Sequence, residues 1–132
     1  MNIFSILIPK QMLTYLSDQD PLNQAVHFLL GSTYSAVPVI DAEGHYIGIA
    51  SEGDFLRGVM EYGEEDLVNH RVADIVNRDF GAVVLNTVEK EEIMEKILDR
   101  NFLCVIDDRK CFIGIITRKS IIQYLNDGNV TA

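Results

Sequence analysis

The chain has 132 residues, of which 48% are hydrophobic, enough for one compact domain with a substantial core. Twenty acidic against eleven basic side chains leave a net charge of −9; this repels phosphate backbones and excludes the basic stripe that non-specific nucleic-acid binding needs. No apolar run reaches membrane-spanning length, and the opening Met1–Ile8 lacks a basic leader and a small-residue cleavage site, so a cytoplasmic protein without membrane association is expected.

In chain order, Asp20-Pro21 opens a helix whose apolar Leu22, Ala25, Val26 and Leu29 recur at helical spacing. A strand over 36–40, the polar turn Asp41-Ala42-Glu43-Gly44 and a strand over 46–50 follow. The next helix runs from Glu52 to about Tyr62, and Gly63-Glu64-Glu65-Asp66 reads as a solvated break. Residues 71–76 are predicted to form a short amphipathic helix leading into a strand over 82–85. The second half carries a helix with Ile93, Met94, Ile97 and Leu98, strands over 103–106 and 111–116, and a helix starting at Arg118. Asn126, Asp127, Gly128 and Asn129 are the expected fraying end. Cys104 and Cys111 flank a turn and match no metal-ligand spacing, which suits two thiols in a reducing compartment.

The chain repeats itself. Tyr46-Ile47-Gly48-Ile49-Ala50-Ser51-Glu52-Gly53-Asp54 aligns with Phe112-Ile113-Gly114-Ile115-Ile116-Thr117-Arg118-Lys119-Ser120, and Val39-Ile40-Asp41 aligns with Val105-Ile106-Asp107. The second copy is two residues shorter between helix and strand. Each half is too small to be stable alone, so the two are expected to pack their sheets together about an approximate two-fold axis. The expected fold class is mixed α/β (α+β), with repeats over 1–66 and 67–132.

The order strand, helix, strand, strand, helix, with Tyr34-Ser35-Ala36-Val37-Pro38-Val39-Ile40-Asp41, Gly48–Asp54 and Gly114–Thr117, resembles a tandem pair of CBS domains, a Bateman module. The likeness extends to small bacterial stand-alone CBS pairs. It implies a regulatory module, not an enzyme, that senses AMP, ADP, ATP, S-adenosylmethionine or cyclic di-AMP in clefts shared by the two repeats. It also implies a homodimer, a separate effector protein that reads the ligand state, and no cofactor beyond the regulatory nucleotide.

On that resemblance the first cleft pairs Met12, Thr14, Tyr34, Ser35, Ala36, Val37 and Pro38 with Thr117, Arg118, Lys119 and Ser120. Small Ser35 and Ala36 leave room for a purine beside strand-end amides. Thr117 stands at a helix N-cap, where its hydroxyl and the unpaired amides can hold phosphate. Arg118 and Lys119 in the first helical turn each cost about 0.3–1 kcal/mol against an acid there, a sign that a bound phosphate reverses. Ser120 departs from the family pattern by replacing an Asp that binds ribose, which favours a phosphate-rich ligand. The second cleft pairs Ser51, Gly53 and Asp54 with Asn101, Phe102 and Leu103. There the carboxylate is present, but Phe102 can fill the purine pocket, and Ser51 with Asp54 also has the spacing of a capping box.

Other chemistries are not supported. His27, His45 and His70 are scattered without metal-ligand spacing, so no metal site is expected. Glu89, Glu91, Glu92 and Glu95 alternate with Lys90 and Lys96 as a solvated helix face, Glu92 and Lys96 being an i,i+4 pair. No nucleophile elbow or P-loop occurs. The competing reading is a scaffold with empty clefts that self-associates through exposed Leu56, Val59, Ile122 and Leu125.

Overall fold

The computed structural model describes residues 2–128. By contacts the chain forms two units, one from residues 2–13 and 82–128, the other from residues 14–81. The N-terminal segment therefore belongs to the unit built from the second sequence copy, and the connector after the first copy stays with the first.

In the unit of residues 14–81, β2 (Leu16–Ser17) runs parallel to β3 (Ala36–Ile40), which pairs antiparallel with β4 (Tyr46–Ser51). Pro21 precedes α1 (Leu22–Gly31), as its missing N–H and preset φ allow at a helix start. Leu22, Ala25 and Leu29 of α1, Val37 and Val39 of β3, and Phe55 of α2 (Glu52–Tyr62) meet in one apolar cluster. β3 is buried along its whole length, as expected of a strand flanked on both sides and covered by a helix.

Gly63, at φ +83°, ends α2, and the acidic stretch after it is exposed. It is not an open loop but a 3₁₀ helix over Glu64–Asn69. The helix expected over 71–76 is likewise only a 3₁₀ turn, Val72–Asp74. The amides of Val72 and Ala73 donate to the Asp20 and Asp18 carbonyls, and Asn77 exchanges two backbone hydrogen bonds with Ile49 (2.8 and 3.1 Å). That exchange draws the chain into an extended path along β4 before a helix can propagate.

The other unit repeats the plan. β5 (Val83–Val84) runs parallel to β6 (Phe102–Ile106), which pairs antiparallel with β7 (Phe112–Thr117). α3 (Lys90–Asp99) and α4 (Arg118–Asn126) cover the sheet, with Ile93, Ile97 and Ile121 in its core. Corresponding registers are identical: Val39 faces Gly48 as Val105 faces Gly114, and the register shifts at the next residue in both hairpins. A further strand, β1 (Leu7–Pro9), pairs antiparallel with the free side of β7 and gives the sheet order β1-β7-β6-β5. Asn126 closes α4, and Asp127 folds back onto it through Gln123; Asn129 lies outside the described residues.

The repeated glycines follow from these side-on strands. A Cβ on Gly48 would fall on the carbonyl oxygen of Asn77, and one on Gly114 would fall on that of Ile8. Each sheet needs a bare backbone where a crossing segment comes close. Neither cysteine is in a disulfide; Cys104 is buried on β6 and Cys111 is half-buried beyond the turn. Among the described residues no helix is long and apolar enough to cross a membrane.

Candidate functional site

Most of the residues singled out from the sequence lie at two matching strand-to-helix corners, one in each unit; Met12 and Thr14 lie on the segment between β1 and β2. In the unit of residues 14–81, Ala36 lies opposite Ser51, and the Ser35 carbonyl accepts the Glu52 amide at 3.0 Å. Tyr34, Ser35, Ala36, Ser51, Gly53 and Asp54 thus share one sheet end. Ala36, Val37 and Pro38 are buried, Tyr34 and Thr14 half-buried, and Ser35 exposed. The strand itself is buried throughout, so the exposed residue at this end is Ser35, just before it.

Ser51 caps α2, and the capping box is complete. Its hydroxyl accepts the Asp54 amide at 3.2 Å, while Asp54 Oδ2 accepts the Ser51 amide and hydroxyl, each at 2.9 Å. The other oxygen of this nearly buried carboxylate accepts from the guanidinium of Arg57, which is otherwise exposed. Both oxygens proposed for ribose are therefore already engaged. Arg57 did not stand out in the sequence; the available signal was its position three residues after an acid in the first turn of a helix. A Cβ on Gly53 would make only ordinary contacts, with Arg57 and Ser51, so this glycine leaves open space rather than relieving a clash.

The second corner is chemically different. Thr117, nearly buried, caps α4 by accepting the Ser120 amide at 2.9 Å, and its hydroxyl shares a 2.7 Å hydrogen bond with that of Ser120. Opposite Thr117 stands Phe102, whose side chain is buried, as is that of Leu103. Lys119 is exposed, and Met12, in the short turn after β1, is 76% exposed.

Arg118, although exposed, has its guanidinium engaged within the unit. Its Nε donates to the Ile97 carbonyl at 2.9 Å, one Nη to that of Leu98 at 2.6 Å, and the other to Asn101 Oδ1 at 3.5 Å. The guanidinium caps the carbonyl end of α3, where the helix dipole places partial negative charge. Arg118 thus ties Asn101 and α3 to the start of α4 and leaves Lys119 as the solvent-facing cation of this turn.

Matching turns close the opposite end of each hairpin from its corner. Asp41 Oδ1 accepts the amides of Glu43 and His45 at 2.9 Å each, and Asp107 Oδ1 does the same for Arg109 and Cys111. Asp41, Glu43 and His45 bring three potential metal-binding atoms together. The Asp41 carboxylate, however, is occupied by two amides and by His45 Nδ1 at 3.2 Å. Partial burial raises its pKa, but the His45 and Glu43 amides and the His45 ring outweigh that and hold it below the ordinary value.

Two sheet-and-helix units of one design, each with a hydroxyl-capped helix after its hairpin, define a tandem CBS-type protein. The CBS domain family model matches residues 8–61 and 72–127, and the chain belongs to that family. It is similar to a solved CbpB in complex with c-di-AMP, at 29% identity and TM-score 0.89, over 96% of this chain and 85% of that one. A CBS domain protein of Streptococcus pneumoniae TIGR4 is 28% identical with TM-score 0.86, over 98% and 90% of the two chains. A hypothetical conserved protein of Geobacillus kaustophilus is 27% identical with TM-score 0.86, over 97% and 98%.

Proposed function

We propose that this protein is a cytoplasmic regulatory module whose ligand is an adenine nucleotide, c-di-AMP foremost, and whose ligand state is read by a separate effector protein. The observation that carries the reading is the Thr117 corner: a capped helix start with Lys119 free of intramolecular hydrogen bonds, in a chain similar over 96% of its length to a CbpB solved with c-di-AMP. Met12, Thr14, Tyr34, Ser35, Ala36, Val37 and Pro38 are assigned to the purine. Thr117, Lys119 and Ser120 are assigned to phosphate and ribose. With Ser in place of Asp at position 120, the corner contributes no carboxylate to repel a phosphate-rich ligand.

Arg118 is assigned a supporting role, because its donors already serve α3. The Ser51, Gly53 and Asp54 corner, with Asn101, Phe102 and Leu103, is assigned the lesser share of binding. Its carboxylate must first part from Arg57, and Phe102 occupies a place that is open at Ala36. The exposed Leu56, Ile122 and Leu125, with Val59, are assigned to a homodimer contact.

A thermal-shift panel of c-di-AMP, ATP, ADP, AMP and S-adenosylmethionine tests the reading. A ligand at one hundred times its Kd adds about 2.7 kcal/mol, a shift of roughly ten degrees for a domain of this size. Lys119→Ala should weaken c-di-AMP more than adenosine. A melting point unmoved by every member of the panel would leave the self-associating scaffold as the function.

A further inference from the structure

The duplication provides an internal control on what belongs at the carbonyl end of each repeat's first helix. In the second copy that place is filled: the Arg118 guanidinium spans the carbonyls of Ile97 and Leu98 and reaches Asn101. Ile97 and Leu98 correspond to Leu29 and Leu30 at the end of α1, Asn101 to Ser35, and Arg118 to Glu52. The first copy therefore presents the corresponding carbonyl end with two more residues before the strand, with the Leu29 carbonyl accepting the Ser32 amide, and with the cation replaced by an acid.

The space is correspondingly open. A cavity of about 280 Å³ is lined by residues 29–30 and 32–35 together with Glu52. Its polar groups favour positive charge: the end of α1 carries the helix's partial negative charge, and Glu52 adds a full one that outweighs the partial positive charge at the start of α2. Ser32 and Thr33 add hydroxyls, though the Ser32 hydroxyl accepts the Tyr34 amide and its own amide donates to Leu29. Among the described residues no cation lines the cavity, and Glu52 has no ion-pair partner.

We infer that this cavity is a guanidinium-binding site, which takes from outside the chain the group that Arg118 supplies within the second copy. A guanidinium suits it better than an ammonium because its planar fork can meet two successive carbonyls and a carboxylate together. The group can come from free arginine or from an arginine side chain of a partner protein; the chemistry at the cavity is the same. The inference does not depend on nucleotide binding, although Tyr34 and Ser35 adjoin both places.

The test is an amide NMR titration of the full chain with L-arginine amide and, separately, with the capped peptide acetyl-Gly-Arg-Gly-amide. L-lysine amide and sodium chloride at matched ionic strength are the controls. Saturable shifts are expected at the amides of Leu30, Ser32, Thr33 and Ser35 with either arginine probe. Peptide binding at least as tight as that of the free amide points to a protein partner, and tighter binding of the free amide points to a metabolite. Glu52→Gln should weaken the apparent affinity about fivefold, the scale of an exposed ion pair. Glu52→Arg, which copies the second repeat, should abolish the shifts, and peak dispersion in the same spectra reports whether each variant is folded. Shifts that fail to saturate, that L-lysine amide reproduces, or that survive Glu52→Gln unchanged would overturn the assignment.

Discussion

At the residue scale, the two turns differ in one backbone detail. Gly44 adopts φ +86° in the first, and Lys110 takes the corresponding place at φ +67° in the second. A non-glycine residue pays about 1 kcal/mol or more in that region. Lys110→Gly should therefore raise stability by up to about 1 kcal/mol, and Gly44→Ala, with open space around it, should lower it by a similar amount. Paired urea melts check both.

Asp66 gives a pH prediction. The Asn69 side-chain amide and then the His70 ring hold its carboxyl below the ordinary value. A depressed folded pKa adds stability that is fully present above the unfolded value and is lost as pH falls through the folded one. The acid limb of stability against pH should therefore flatten in Asp66→Asn, while the neutral region changes less. An acid limb identical to that of the parent would remove Asp66 from the account.

At the scale of elements, the contrast between the two capped helices is measurable. α2 has a reciprocal box, Ser51 with Asp54, braced by Arg57; α4 has only the Thr117 cap, because the Ser120 hydroxyl turns to Thr117 Oγ1. Ser120→Asp should complete the box and place an acid at a helix start, adding about 0.5–1 kcal/mol. Asp54→Ser should cost about 2 kcal/mol, since it removes half the box and a nearly buried charge-assisted contact. Denaturant midpoints at unchanged m-value would report both. Equal effects of opposite sign would show that Arg57 adds nothing to the box.

For the molecule as a whole, the decisive feature is that the chain begins in one unit, builds the other, and returns. β1 lies on β7 beside Gly114, and Asn77 lies on β4 beside Gly48. Replacing either glycine by alanine puts a methyl group into a backbone, and about 3 kcal/mol should be lost in each case. Hydrogen exchange should locate the loss. Gly114→Ala should deprotect β1 and β7, where Ile6 and Ile116 share a core, and Gly48→Ala should deprotect β4 and residues 76–78. Loss of protection spread evenly over both sheets would contradict this division.

Much of the fold was legible in the sequence because it rests on local signals. Short apolar strands bounded by polar turns, helical apolar spacing, the Asp41 and Asp107 turns and the hydroxyl caps at Ser51 and Thr117 each depend on residues a few positions apart. Duplication made the family recognisable by repeating those signals in matching order. The rest was set by partners distant along the chain. The role of Gly48 and Gly114 depends on Asn77 and Ile8, and the 3₁₀ turn at Val72 on Asp18, Asp20 and Ile49. The occupation of Arg118 depends on carbonyls 20 and 21 residues away. A basic residue in a helix's first turn reads the same whether it awaits a phosphate or already holds another helix's end. Only the placing of the carbonyl end of α3 within reach of Arg118 decides between them, because a guanidinium goes where fixed carbonyls already point.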